Sequence, residues 1–151
     1  AAMMQDDVET IAAATDMLAE AKLTPELRNE ALYFRAKAYL NQQADKKAMN
    51  DLQALAKDTR TLYGAEAKYL VALQLYKAHE YAAAEKEILN FIEQSTPHAY
   101  WLARSFILLS DVYVSMDKKL DARQYLLSLQ QNYHADDDIE QMINERLEKL
   151  K

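Results

Sequence analysis

The chain has 151 residues, half of them hydrophobic, with one Gly, two Pro, no Cys and a formal net charge of −6 at a pI near 5.1. So little Gly and Pro leaves few residues for sheet turns, and the Ala-, Leu-, Lys-, Glu- and Gln-rich remainder is that of an all-helical chain, long enough for one domain with a core. The acidity opposes binding to a nucleic-acid backbone, which needs clustered cations, and the lack of cysteine excludes disulfides and thiolate metal sites while fitting a reducing or an oxidising compartment.

No apolar run approaches the roughly 18 residues of a membrane span, so direct membrane insertion is not expected. The opening AAMMQDDVET lacks the basic-then-apolar order of a signal peptide, which reads as a cytosolic protein or as a mature or trimmed fragment.

Periodicity predicts eight helices. The first spans about Met3 to Ala21, with Val8, Ile11, Ala14, Leu18 and Ala21 on one stripe. Thr24 and Pro25 start the second, because proline suits the first helical position. It runs to about Gln42 and turns Leu27, Ala31, Phe34, Ala36, Ala38 and Tyr39 inward. The polar NQQAD reverses the chain into Asp45 to Lys57, whose Ala48, Leu52 and Leu55 face the partner helix. Leu62 to Ala78, Glu80 to Glu93, Pro97 to Met116 and Lys118 to Asn132 follow. Connections of a few residues suit antiparallel pairs, and no linker marks a domain boundary. In the final DDDIEQMINERLEKLK, residues Ile139, Met142, Ile143, Leu147 and Leu150 form a narrow stripe. Asp136, Asp137 and Asp138 sit at the positive end of this helix as an N-cap and Lys149 and Lys151 at its negative end, as expected of a capping helix.

Ala48, Ala84 and Ala122 each follow a second small residue, Ala36, Ala72 or Ser110, by 12 positions. These alanines lie 36 and 38 residues apart, and Ala14 lies 34 before Ala48. Such a period predicts a solenoid, in which each unit buries its apolar face against its neighbours. The first helix matches the second helix of a hairpin whose first is missing. The chain is therefore expected to be the C-terminal piece of a longer array, the alternative being that this helix is itself an N-terminal cap.

Together with the apolar pairs Leu52 and Leu55, Ile88 and Phe91, Leu126 and Leu129, and the large residues Tyr39, Leu75 and Tyr113, this pattern resembles the tetratricopeptide repeat (TPR) over about residues 29 to 132. Two closely crossing helices need a small side chain at the contact and larger ones beside it. The chain departs from the family in carrying Leu32, Lys68 or Phe106 where Trp is usual, and in lacking the usual glycines and terminal proline. The resemblance implies an all-α, right-handed α-solenoid of antiparallel helix hairpins forming a single domain over 1–151. It comprises a helix of an incomplete repeat at 1–22, full repeats at 29–58, 62–94 and 97–132, and a capping helix at 136–151. The stretch QSTPHAYWLARSFILLSDVYVSMDKKLDARQYLLSLQQNY is similar to the C-terminal repeats of long TPR proteins of Gram-negative cell envelopes. That similarity implies a periplasmic or outer-membrane-associated scaffold and leaves a cytoplasmic location open.

In the family, the first helix of each pair lines a concave groove that binds ligands. Carried over, the lining is Glu30, Tyr33, Lys37, Leu40 and Asn41, then Glu66, Tyr69, Leu73, Tyr76 and Lys77, then Arg104, Ile107, Asp111, Val114 and Ser115. Tyr33 and Tyr69 recur at one place, either as contact rings with a hydroxyl for directed bonds or as padding of the inner wall. The family's carboxylate clamp for chaperone tails does not fit, because the matching places hold Tyr33, Lys37, Leu70, Arg104 and Leu108. Tyr100 and Trp101 form a candidate edge patch, in a helix started by Ser95, Thr96 and Pro97 with Thr96 as its cap, unless the indole packs near Phe91 and Ile92.

Catalytic chemistry finds no support. His79, His98 and His134 fall in turns or at a helix start, and the Asp136 run lacks the pattern of a calcium loop. Gly64 alone makes no phosphate cradle, and Glu85, Glu87, Glu145 and Glu148 read as solvated charge. The expectation is a non-enzymatic scaffold without cofactor or metal that binds a protein or peptide in the groove. The alternative is a structural segment that packs on a longer TPR chain or self-associates.

Overall fold

Eight helices and no strands account for the regular structure of the described residues, which in this computed structural model are 2–151, with side chains from Asp6 onward. They are α1 (Ala2–Leu18), α2 (Pro25–Asn41), α3 (Asp45–Leu55), α4 (Leu62–Lys77), α5 (Tyr81–Glu93), α6 (Ala99–Ser115), α7 (Lys119–Asn132) and α8 (Ile139–Lys149). Each helix packs on the next, and the even-numbered ones also stack, α2 on α4, α4 on α6 and α6 on α8. Among the described residues α1 touches α2 and no other helix. No described helix is long and apolar enough to cross a membrane.

All six small residues of the double pattern, Ala36, Ala48, Ala72, Ala84, Ser110 and Ala122, are fully buried. The main core spreads from Leu32 and Leu52 through Leu70 and Ile88 to Leu109 and Val112. A second cluster joins Ile107, Leu126 and Leu129 to Ile139 and Ile143 of α8. The amphipathic stripe of the last helix thus closes the end of the core.

The turn that ends α2, α4 and α6 is the same each time. Gln43, His79 and Asp117 have φ of 59°, 62° and 61°, in the left-handed region. In the first of these turns Ala44 N donates to Tyr39 O at 2.8 Å and Gln43 N to Leu40 O at 3.0 Å. Glu80 with Leu75, and Lys118 with Tyr113, repeat the longer bond at 2.9 and 2.7 Å. These are Schellman turns, which satisfy the last helical carbonyls and normally favour glycine at the left-handed residue. They recur 36 and 38 residues apart, so backbone geometry carries the same period as the alanines.

The chain's one glycine serves elsewhere. Thr61 caps α4 by accepting from Gly64 N at 3.0 Å, while its own hydroxyl donates to Asp58 O at 3.0 Å. A Cβ on Gly64 would overlap the Asp58 carbonyl oxygen. The α3–α4 loop wraps so closely over the first turn of α4 that only a hydrogen fits.

Several expectations are corrected. Val8, Leu27 and Phe34 are exposed rather than inward, since α1 packs on α2 and no described helix covers the part of α2 that carries Leu27 and Phe34. Ala21 lies beyond the end of α1 and is exposed. Thr96 does not cap α6, which begins at Ala99 without a side-chain cap; its hydroxyl instead donates to Thr59 O at 2.6 Å and ties two loops together. Asp138 at the α8 N-cap makes no capping bond; Asp137 accepts from Ile139 N at 3.0 Å.

Two substitutions invert ordinary helix propensity. Gln43→Gly relieves a left-handed residue and is expected to raise stability by about 1 kcal/mol. Gly64→Ala, which would help a free helix, is expected to cost about 1–3 kcal/mol through overlap with the loop. Urea denaturation of both variants checks the pair.

Candidate functional site

The residues carried over from the groove pattern lie on α2, α4 and α6, and the stacking of these helices with α8 joins them in one face. Polar side chains there reach from one helix to the next at about the repeat spacing. Tyr33 OH donates to both carboxylate oxygens of Glu66 at 3.1 Å, and Lys37 Nζ reaches Glu66 Oε2 at 3.1 Å. Arg104 Nη2 donates to Tyr69 OH at 3.2 Å. Arg146 of α8 grips Asp111 of α6 through Nε and Nη2 at 2.8 and 3.0 Å. Buried or half-buried charges need such partners, because desolvating an unpaired carboxylate is costly.

This ladder decides which residues face solvent. Tyr69 is only 6% exposed and Ile107 is buried, so neither lines an open surface. Tyr33, Lys37, Arg104 and Asp111 are held by the links above. The Tyr33 ring also stacks on Tyr63, with centroids 4.3 Å apart. Burial, and then the neighbouring Glu66 charge, push the Tyr33 phenol up to about 12. Tyr100 OH donates to Asp138 Oδ1 at 3.0 Å and accepts from Arg104 at 3.2 Å. Trp101 is half-buried, with its indole centroid 5.6 Å from the Tyr69 ring and 5.1 Å from the Tyr100 ring. Tyr100 and Trp101 therefore brace the α4–α6 contact as well as bordering it.

Open surface remains near the C-terminal ends of α2, α4 and α6. A cleft of about 530 Å³ is lined by Tyr76, Asp111, Val114, Ser115, Lys119 and Lys149, among others. Ser110, 1% exposed, borders this cleft with a hydroxyl oxygen that has no hydrogen-bond partner among the described residues. A second cleft of about 530 Å³ lies beside Leu40, Gln43, Leu73, Gln74 and Lys77. Asn41 and Lys77 are exposed at the ends of α2 and α4.

Sequence reasoning missed Glu66 and Arg146 as acceptor and donor of the ladder. It also took Glu85 and Glu87 as solvated, whereas Glu87 pairs with buried Lys68 at 2.6 Å, and burial followed by the nearby Glu85 raises the Tyr113 phenol. Polar residues of opposite kind one repeat apart on stacked helices were the available signal. Among the described residues no group of His, Cys, Asp or Glu is placed to hold a metal ion. His98 and His134 instead contact the backbone oxygens of Arg60 and Gln131, each at 2.9 Å.

Compared with known proteins, the chain matches no protein-family profile, and no curated protein or solved structure is significantly similar to it.

The raised Tyr33 pKa has a signed consequence. The folded state holds this proton up to about 12, against 10.0 for a free phenol. The stabilisation is fully present below pH 10 and is lost as pH rises through the folded value. Denaturant titrations at about pH 9 and about pH 11.5 should show a smaller loss of stability for Tyr33→Phe than for the parent chain.

Proposed function

We propose that the chain is a TPR-like α-solenoid that works as a non-enzymatic protein-interaction scaffold, and that a peptide or partner helix lies across the C-terminal halves of α2, α4, α6 and α8. The observation that carries this is the open cleft beside Val114, where the side chains of Tyr76, Val114 and Leu150 meet charged groups of α6, α7 and α8. Pockets that bind peptides combine apolar walls with a few fixed polar groups. Tyr76, Val114 and Leu150 supply the apolar walls, with Lys119 and Lys149 at the rim. The adjoining cleft at Leu40, Leu73 and Lys77 extends the same surface along the stack.

On this reading Tyr33, Tyr69 and Arg104 set the curvature of the surface and do not touch the ligand. Substituting Tyr69 then tests stability, and substituting Tyr76 or Val114 tests binding. The alternative, a segment packing on further helical structure, draws support from the exposed apolar residues of α1 and α2.

A photoreactive phenylalanine analogue in place of Val114 should crosslink one partner, mapped by mass spectrometry to one segment of that partner. The same analogue in place of Leu120, exposed on α7, should not. Tyr76→Ala, with helicity unchanged by circular dichroism, should lower the Val114 adduct by about tenfold. Equal crosslinking from both positions would remove the support for this surface.

A further inference from the structure

The 36- and 38-residue spacings align Phe34 with Leu70 and Leu108, and Glu30 with Glu66 and Arg104. Leu70 and Leu108 are 9% and 3% exposed, within the core cluster that also holds Leu32 and Ala36. Phe34, at the same place in the pattern, is 46% exposed. Glu66 accepts from Tyr33 and Lys37 of the helix stacked on it, whereas Glu30 is exposed and accepts no hydrogen bond among the described residues. Between α1 and α2 runs a cleft of about 300 Å³ with Ala13, Ala14, Met17 and Ala31 beside Phe34. Val8 and Leu27 add further exposed apolar surface on these two helices. The face of α1 and α2 thus repeats the surface that α4 offers to α2, without a helix on it.

Charge narrows the occupant. Residues 1–34 hold seven acidic and two basic side chains, a net −5 of the chain's −6. A second copy of the chain is a poor complement. Its own α1–α2 segment carries the same charge, and the exposed residues of its α8, Glu140, Gln141, Asn144, Glu145, Glu148 and Lys149, are acidic on balance. Like-charged surfaces repel on association, and complementary ones steer it.

We propose that the α1–α2 face docks a basic amphipathic helix of another protein, seated as α2 is seated on α4. The helix lays its apolar stripe on Phe34 and Met17 and directs a tyrosine or lysine donor to Glu30. Isolated helices of this length are marginal in water, so such a partner gains its helicity largely from burying the stripe. The proposal is independent of what occupies the clefts on α4, α6 and α8.

The probe is the chain's own α2 as a peptide, residues 24–42, which carries Tyr33 and Lys37 and a net charge of +1. It is stapled on the face opposite those two residues, labelled with fluorescein and titrated with the full chain by anisotropy. Saturable binding below about 1 mM is expected. Phe34→Asp in the protein should weaken it by about tenfold or more. Lys37→Glu in the peptide should weaken it by roughly threefold to tenfold, and Glu30→Lys in the protein should restore that loss. Circular dichroism confirms that the protein variants are folded, which the exposure of both positions favours. Absence of saturation, or binding indifferent to Phe34→Asp, would overturn the proposal. A dimer of the chain alone in sedimentation, dispersed by Phe34→Asp, would overturn it in favour of a second copy.

Discussion

Six small side chains, fully buried in the helical pairs α2–α3, α4–α5 and α6–α7, set the closeness on which the rest of the molecule depends. A methyl or hydroxymethyl group at Ala36, Ala48, Ala72, Ala84, Ser110 and Ala122 lets paired helices approach, with Leu52, Ile88 and Leu126 filling the space beside them. A larger group at any of the six would push the paired helices apart and shift every stacked neighbour, because well-packed interiors take up added volume only by strain. The Schellman turns at Gln43, His79 and Asp117 act with this constraint, since each ends its helix with the same left-handed residue geometry.

Stacking between successive hairpins depends more on polar chemistry. Glu66 lies buried between donors from α2, Tyr69 receives Arg104 of α6, and Asp111 receives Arg146 of α8. Such bonds need add little net stability to specify how one helix stands on the next, since a shifted register leaves a buried charge unpaired. They also consume the N-terminal halves of α4 and α6 as contact surface. Their C-terminal halves stay free around Tyr76, Val114 and Lys77. The two ends of the stack differ in kind: α8 turns acidic and polar side chains outward, while α1 and α2 expose Val8, Leu27 and Phe34.

Helix number and placement were legible because apolar spacing, the Thr24–Pro25 start and the polar reversals all act within a few residues. The period of the alanines reappears in the turns, which no single residue advertised, since Gln, His and Asp hold the left-handed positions usual for glycine. Phe34 and Leu27 were placed inward because their spacing matches that of covered helices; whether a covering helix exists is not encoded in the stripe itself. The role of Tyr33 and Tyr69 was equally hidden. A tyrosine at that place serves a ligand or a neighbouring helix, and the choice rests on Glu66 and Arg104, whose relation to it is spatial. Asp136, Asp137 and Asp138 look like a cap in sequence, yet Tyr133 and Tyr100 compete for the last two.

The central claim is that the inner tyrosines are structural while two other surfaces are open. Hydroxyl-radical footprinting with mass spectrometry tests it on the unaltered chain, since oxidation of aromatic, aliphatic and sulfur side chains follows their access to solvent. Rapid modification of Phe34, Met17 and Val114 is expected, with Tyr69, Tyr113 and Phe91 protected until the chain unfolds. Modification of Tyr69 as fast as that of Phe34 would contradict it.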